Sequence, residues 1–192
     1  MVTIDVENES PHDEFLVMKK YNHKLRKNLA KNLNELKDPR EKIISLRKFF
    51  AKDFEYDYQY AYTDTYELEW RNFHINGKEY RSQSDQNSLD ELPPSVYLTK
   101  IGRCGIYSSE VDYLLQKNSI KNKKATKLLP CLNIYNKQLE RTLHRYNQAE
   151  VEINKKKKLI NIDICALIFE RDAKAQNLDI DYSKLHELNT QF

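Results

Sequence analysis

Apolar positions recur at helical spacing along the first fifty residues. Between residues 15 and 36 an apolar side chain appears every three or four positions, which predicts a long first helix that begins at Ser10-Pro11. This helix is expected to stop at Asp38-Pro39, where Asp38 can cap a second helix and Glu41 stands three positions after the cap. Residues 43–50 supply the buried face of that second helix. We expect the two helices to form a hairpin on the core.

The period changes from helical to alternating after residue 53. Aromatic residues at every second position from Phe54 to Tyr62 alternate with polar ones, and this pattern predicts an extended strand. Further on, Asn76-Gly77 lies between residues 66–70 and 78–80, which predicts a β-hairpin. The polar tract over residues 82–91 predicts a loop.

The second half of the chain predicts an antiparallel sheet. Residues 127–135 form a strand-like run in which Pro130 indicates an edge strand or a bulge. Residues 149–153 and 159–164 alternate apolar and polar side chains, and they are joined by Asn154 and four lysines, which predicts a hairpin with a charged tip. The tail, residues 166–192, predicts one or two short helices.

Cys104 is the candidate for chemistry. The chain has three glycines in 192 residues, and two of them, Gly102 and Gly105, lie beside this cysteine. Tyr107, Val111 and other apolar residues follow at helical spacing, so Cys104 is predicted to begin a helix. Free N–H groups and the helix dipole at that end lower a thiol's pKa. The alternative is a small buried residue at a helix start.

Composition limits the possible classes of function. The chain has 32 basic and 29 acidic residues, and the net charge of +3 does not indicate a nucleic-acid partner. The lysines at 121–124 and 155–158 are expected to lie in solvated turns. No apolar run is long enough for a membrane span, and the acidic start lacks the apolar core of a signal peptide. The three cysteines cannot all pair and have no zinc-site spacing, so we expect free thiols in a reducing cytoplasm and no metal or cofactor.

The order of elements resembles the transglutaminase-like branch of the papain-like cysteine enzymes. Three segments carry the resemblance: the helix and aromatic-Asp pair at residues 42–57, the cysteine segment at 98–115, and the two alternating strands at 150–163. The resemblance implies an α+β fold with a papain-like/transglutaminase-like core, in which the Cys104 helix packs on an antiparallel sheet. We expect one domain, residues 1–192. Its core spans residues 38–164, with an N-terminal helix at 11–37 and a C-terminal helical tail at 166–192.

The resemblance also implies a Cys-His-Asp triad. In such a triad the cysteine attacks an acyl carbonyl, the histidine carries the proton and the aspartate orients the imidazole. The cysteine corresponds to Cys104 and the aspartate to Asp163. Counting back from Asp163 across the lysine tip places Gln148 at the histidine position, and the nearest histidine, His144, lies about 13 Å away along the same strand face. A bulge, a bend or a different hairpin would be needed for His144 to reach Asp163.

Two functions therefore remain open. With His144 as the base, the protein is a cytoplasmic thiol enzyme that hydrolyses, deamidates or transamidates an amide of a protein or peptide. With Gln148 in the histidine position there is no base, since an amide does not take up a proton near neutral pH. The chain is then an inactive domain that binds a protein or peptide through residues 56–70. A nucleic-acid-binding module is the least favoured class. Cys131 and Cys165 are expected to pack as small hydrophobes in strands, and the four other histidines to be structural or exposed.

Overall fold

The computed structural model describes residues 11–62, 70–83, 96–153 and 155–185. Within these ranges the chain is α+β. The helices are α1 (Pro11–Glu35), α2 (Pro39–Asp53), α3 (Tyr58–Tyr62), α4 (Val96–Thr99), α5 (Cys104–Lys117), α6 (Ile164–Ala175) and α7 (Tyr182–Leu185). The strands are β1 (Glu55–Tyr56), β2 (Trp70–Ile75), β3 (Lys78–Gln83), β4 (Ile101–Gly102), β5 (Asn122–Asn133), β6 (Gln138–Ile153) and β7 (Lys156–Ile162).

The main sheet is antiparallel and has the order β5-β6-β7. Helix α5, which begins at Cys104, packs on β6 and β5, and α6 packs against α2 and α5. The predicted α+β class and the packing of a cysteine-headed helix on an antiparallel sheet are confirmed. Pro130 lies in β5, which is an edge strand of this sheet, as its missing N–H predicts.

Local signals fix the two N-terminal helices. The Asp38 side chain accepts a hydrogen bond from the Arg40 backbone N–H at 2.8 Å, and Pro39 is the first residue of α2. Helices α1 and α2 contact each other, and Leu33 of α1 joins the same buried cluster as Leu46 of α2. The predicted N-terminal helical hairpin is therefore confirmed over the described residues.

The aromatic segment after α2 corrects one prediction. It is not a continuous strand, because only β1 is extended and the chain then turns into α3. Aromatic residues at every second position also fall four apart, so Tyr58 and Tyr62 share one helix face and stack at 6.5 Å between ring centroids. The Tyr58 hydroxyl donates to Asp172 of α6 at 2.9 Å, which ties this helix to the core.

The β2–β3 hairpin is confirmed at its turn, where Asn76 and Gly77 both have positive φ. Residues 66–69, which were expected in its first strand, and most of the predicted loop at 82–91 lie outside the described residues; Ser82 and Gln83 belong to β3. Among the described helices, none is long and apolar enough to span a membrane.

Most lysines of the two clusters lie in strands rather than in turns. Asn122–Lys124 begin β5, and Lys156–Lys158 begin β7, while Lys155 lies in the turn with a φ of +61°. Lys157 lies opposite Glu152 in the strand pairing, and its Nζ forms a cross-strand ion pair with Glu150 Oε1 at 3.0 Å. The hairpin is thus tighter than the sequence count assumed.

A carboxyl group is buried on α5, away from Cys104. Glu110 is fully buried; Tyr97 donates a hydrogen bond to its Oε2 at 2.7 Å, and Arg26 Nε lies 3.2 Å from the same atom. Burial raises the pKa of Glu110 to about 7, although Arg26 and Tyr97 act in the opposite direction. The helix therefore carries a group that titrates near neutral pH.

Candidate active site

Cys104 is the first residue of α5 and is half-buried. Arg103 precedes it in an extended conformation and makes no side-chain cap hydrogen bond to the helix. The first amides of α5 and the positive end of its dipole therefore lie at the thiol without a side-chain cap. The predicted position of Cys104 at a helix start is confirmed.

The two glycines beside Cys104 have different roles. A Cβ at Gly102 would lie 3.1 Å from Cζ of Tyr107, whose ring is buried and whose hydroxyl donates to the Glu55 carbonyl. Gly102 therefore allows a close approach of backbone and ring. A Cβ at Gly105 would lie 3.5 Å from Arg145 Nη1, which is an ordinary contact. Neither glycine has positive φ, so only Gly102 meets a steric requirement.

His144 lies on β6, and its ring is hydrogen-bonded to Asp163. The two side chains are buried, and Nε2 of His144 is 2.9 Å from Oδ1 of Asp163. Asp163 follows directly after β7 and caps α6, where its Oδ1 accepts from the Ala166 backbone N–H at 3.3 Å. The end of a strand and the start of a helix thus fix the carboxylate against the imidazole.

Cys104 and His144 shift each other's pKa in opposite directions. Burial acts to raise the pKa of the Cys104 thiol, but a hydrogen bond to His144, the charge of that ring and the Arg145 backbone N–H outweigh it and hold the pKa below its ordinary value. Burial acts to lower the pKa of His144. The charge and hydrogen bond of Asp163, together with hydrogen bonds to Cys104 and Cys131, raise it above its ordinary value. These directions favour a thiolate-imidazolium pair.

The strand register corrects the expected position of Gln148. In the β6–β7 pairing Gln148 lies opposite Asn161, and its Nε2 donates to Asn161 Oδ1 at 2.9 Å. Gln148 therefore does not face Asp163. The sequence count went wrong because it placed four lysines in the tip, whereas β7 begins at Lys156. The shorter turn moves the register by two positions, so that Asp163 follows the strand at the level of Tyr146. His144 is two residues further along the same strand face, and it reaches the carboxylate because Asp163 lies beyond the end of β7, at the start of α6.

The other two cysteines also approach His144. Sγ of Cys131 lies 3.5 Å from Nδ1 of His144, and the Cys165 thiol also forms a hydrogen bond with this ring. Both are buried, and burial raises the pKa of Cys165 well above its ordinary value. Cys131 lies in β5 as expected, but Cys165 lies in α6 rather than in a strand. Their convergence on His144 had no signal in the sequence.

One group of donor atoms is close enough to share an ion. Within the described ranges, ligand atoms of His144, Asp163 and Cys165 lie within 4.8 Å of one another. Two of these residues, His144 and Asp163, already form the 2.9 Å hydrogen bond with each other, and all three are buried.

Two basic residues border the site. Nη2 of Arg47, from α2, donates to the Asn161 carbonyl at 2.6 Å. Burial lowers the pKa of Arg47, and the negative charge of Asp163 acts in the opposite direction. Arg145 follows His144 and lies beside Gly105. The side chains of His23 and His74 are exposed, as expected of histidines outside the site. The His12 side chain and all of His186 lie outside the described part of the chain, as do residues 63–69 of the proposed aromatic binding segment.

The fold and the site together define an α+β protein with a Cys-His-Asp group at the junction of a helix and an antiparallel sheet. No protein-family model matches the chain, and no curated protein matches it. A solved structure that matches is the periplasmic domain of TgpA from Pseudomonas aeruginosa bound to ethylmercury. It has a TM-score of 0.48 and 15% identity, and the match covers 79% of this chain and 46% of that chain. The chain thus spans about half the length of that structure.

Proposed function

We propose that the protein is a thiol acyl-transfer enzyme that acts on an amide of a protein or peptide. Cys104 is the nucleophile, His144 the acid and base, and Asp163 the residue that orients His144. The observation that carries this proposal is the position of His144, whose ring is hydrogen-bonded to the Asp163 carboxylate at 2.9 Å and acts to lower the pKa of the Cys104 thiol. This geometry provides the nucleophile, base and orienting group that covalent acyl transfer requires.

The reaction would proceed in two balanced steps. The Cys104 thiolate attacks the carbonyl carbon; the C–N bond then breaks, and the leaving nitrogen takes the proton from the His144 imidazolium. This leaves a thioester and a neutral imidazole. In the second step water or an amine attacks the thioester while His144 takes its proton, and the C–S bond breaks to restore the thiolate.

The surroundings of Cys104 support the charged state that this chemistry needs. The Arg145 backbone N–H donates to the sulfur, and the amides at the start of α5 favour negative charge there. Asp163 holds Nε2 of His144, and Nδ1 lies 3.5 Å from the Cys131 sulfur. The resemblance to transglutaminase-like enzymes supports the same roles for Cys104 and Asp163. Hydrolysis, deamidation and transamidation share these steps, and a cytoplasmic location stays a prediction.

The inactive alternative depended on Gln148 in the histidine position. Since Gln148 is bonded to Asn161 and His144 to Asp163, no described contact favours that reading.

The test is the pH dependence of Cys104 alkylation by iodoacetamide, followed by peptide mass spectrometry. In this reaction the sulfur displaces iodide and a C–S bond replaces the C–I bond. A thiolate-imidazolium pair gives a rate that is nearly constant between pH 6 and 8, whereas an ordinary thiol reacts about tenfold more slowly for each unit below its pKa. Buried Cys131 and Cys165 in the same sample serve as internal references.

The matched variant is His144→Gln, which keeps a hydrogen-bonding side chain but cannot hold a positive charge. We expect the plateau to disappear in this variant. A wild-type rate that already rises tenfold per pH unit from 6 to 8, with no difference from the variant, would contradict the proposed role of His144.

A further inference from the structure

Two exposed leucines lie opposite each other on the sheet. Leu128 of β5 is paired with Leu143 of β6, and their side chains are 55% and 71% exposed. Side chains of directly opposed residues are about 5 Å apart at Cβ, so the two form one continuous apolar surface. The two leucines leave an apolar surface in water that an apolar side chain of a bound partner can cover.

This apolar pair lies next to the candidate nucleophile. Alternate residues of a strand share a face, so Leu143 is on the same face as Arg145. The Arg145 side chain lies beside Gly105, the residue after Cys104, since its Nη1 is 3.5 Å from the place of a Cβ on that glycine. Leu143 is about 7 Å further along the strand than Arg145. The leucine pair therefore continues the sheet face just beyond the start of α5.

The charge of this face is positive. The six residues that share it in the strand register are two cations, two leucines, a threonine and a proline: Arg141, Leu143, Arg145, Thr126, Leu128 and Pro130. No carboxylate occurs among them. A polypeptide bound there would complement the surface with an apolar side chain next to an acidic one.

We propose that this leucine surface, formed by Leu128 and Leu143 with Arg145, binds the acyl-donor polypeptide through an apolar side chain followed by a carboxylate. The proposal rests on the function given above and adds the substrate class. The apolar side chain covers the two leucines, and the carboxylate lies at the Arg145 guanidinium. The acyl carbon then lies toward Cys104, at the adjacent end of α5.

The test uses peptides that carry a chloroacetamide group on a C-terminal ethylenediamine linker and differ only in their residues. The acidic residue of the Leu-Glu probe then lies nearer the reactive carbon than its leucine does, just as Arg145 lies nearer Cys104 than Leu143 does. The sulfur displaces chloride from each probe, and the rate at Cys104 is measured by mass spectrometry and divided by the rate with chloroacetamide. We expect the Leu-Glu probe to react about tenfold faster than the Ser-Glu probe, because partial burial of a leucine side chain is worth about half of its full transfer free energy. The Leu-Glu probe should exceed the Leu-Lys probe by about threefold, as is typical of an exposed ion pair.

Leu143→Ser is the informative variant, and Leu159→Ser is its matched control, since Leu159 is 53% exposed on β7 opposite Glu150. Leu143→Ser should remove the preference for Leu-Glu over Ser-Glu, and Leu159→Ser should keep it. Arg145→Gln should remove the preference for Leu-Glu over Leu-Lys.

Two outcomes overturn the proposal: all three probes reacting within twofold of one another after normalisation, or the two serine variants behaving alike. The normalised ratios do not depend on how reactive the thiol is. If the preferences are found but the pH plateau of Cys104 is missing, the surface stands and the acyl-transfer function fails. If the plateau is found without the preferences, only the surface fails.

Discussion

Replacing Asp163 by asparagine separates the electrostatic role of this residue from its structural one. Asparagine is a good helix N-cap, so it can still accept the hydrogen bond from the Ala166 N–H that Asp163 accepts at 3.3 Å. It cannot supply the negative charge that raises the pKa of His144. In Asp163→Asn we therefore expect His144 to lose its proton at a lower pH and the pKa of Cys104 to rise toward its ordinary value.

The magnitude follows from the thiolate fraction. A thiol with an ordinary pKa near 8.5 is about 0.3% ionised at pH 6, so complete loss of the ion pair would reduce the reactive form about 300-fold. A thiolate of higher pKa is intrinsically more nucleophilic, and this offsets part of the loss. We expect alkylation of Cys104 at pH 6 to slow by at least tenfold and the difference from wild type to shrink toward pH 9.

The assay is iodoacetamide labelling of Cys104 across pH 6 to 9 with wild type, Asp163→Asn and the control Asp181→Asn. Asp181 is an exposed aspartate that accepts a hydrogen bond from the Ser183 backbone N–H at 3.1 Å at the start of α7, so its replacement tests cap chemistry away from the site. Urea midpoints show whether each variant is folded. A folded Asp163→Asn protein with a wild-type rate at pH 6 would refute the role of the carboxylate.

The remaining predictions concern stability, measured by urea unfolding. Gly102→Ala should lower the free energy of unfolding by about 1–3 kcal/mol, because the new Cβ would press on the buried Tyr107 ring. Gly105→Ala lies at a helix position where a Cβ makes only an ordinary contact, and it should raise the free energy of unfolding by up to about 1 kcal/mol. Equal effects of the two substitutions would contradict this steric account. Burial raises the pKa of Glu110 from 4.5 to about 7, so the folded state holds this proton more tightly than the unfolded state does. The contribution of Glu110 to the free energy of unfolding is therefore full below pH 4.5 and decreases by roughly 3 kcal/mol between pH 4.5 and pH 7. Glu110→Gln should flatten the stability profile between pH 5 and 7.5, and an unchanged slope would show that another group titrates.

Local signals were sufficient to predict the helices that position Cys104. The N-cap at Asp38 and the apolar stripe after Cys104 act within a few residues, so they can be recognised without tertiary information. The turn at Asn76-Gly77 is another local signal, because few residues accept positive φ at both turn positions. Each of these features is confirmed because its cause lies within its own segment.

The errors have non-local causes. Tyr58 and Tyr62 satisfy both a two-residue and a four-residue period, and the choice between strand and helix depends on the contact of Tyr58 with Asp172, which is distant in sequence. The β6–β7 register depends on whether lysines pair across the strands, and Lys157 does so with Glu150. Sequence counting treated the lysines as a solvated tip and therefore placed Gln148 where His144 approaches Asp163.

The three sulfurs around His144 show why position on a helix, and not proximity to the histidine alone, selects the reactive thiol. Cys131 and Cys165 are each 1% exposed, so neither can meet a substrate, and burial also raises the pKa of Cys165. Cys104 lies near the same imidazole but begins α5, where the Arg145 backbone N–H and the helix amides stabilise negative charge, and the residue is only half-buried. A histidine that lies near all three thiols can therefore activate only the one whose own backbone surroundings accept the charge.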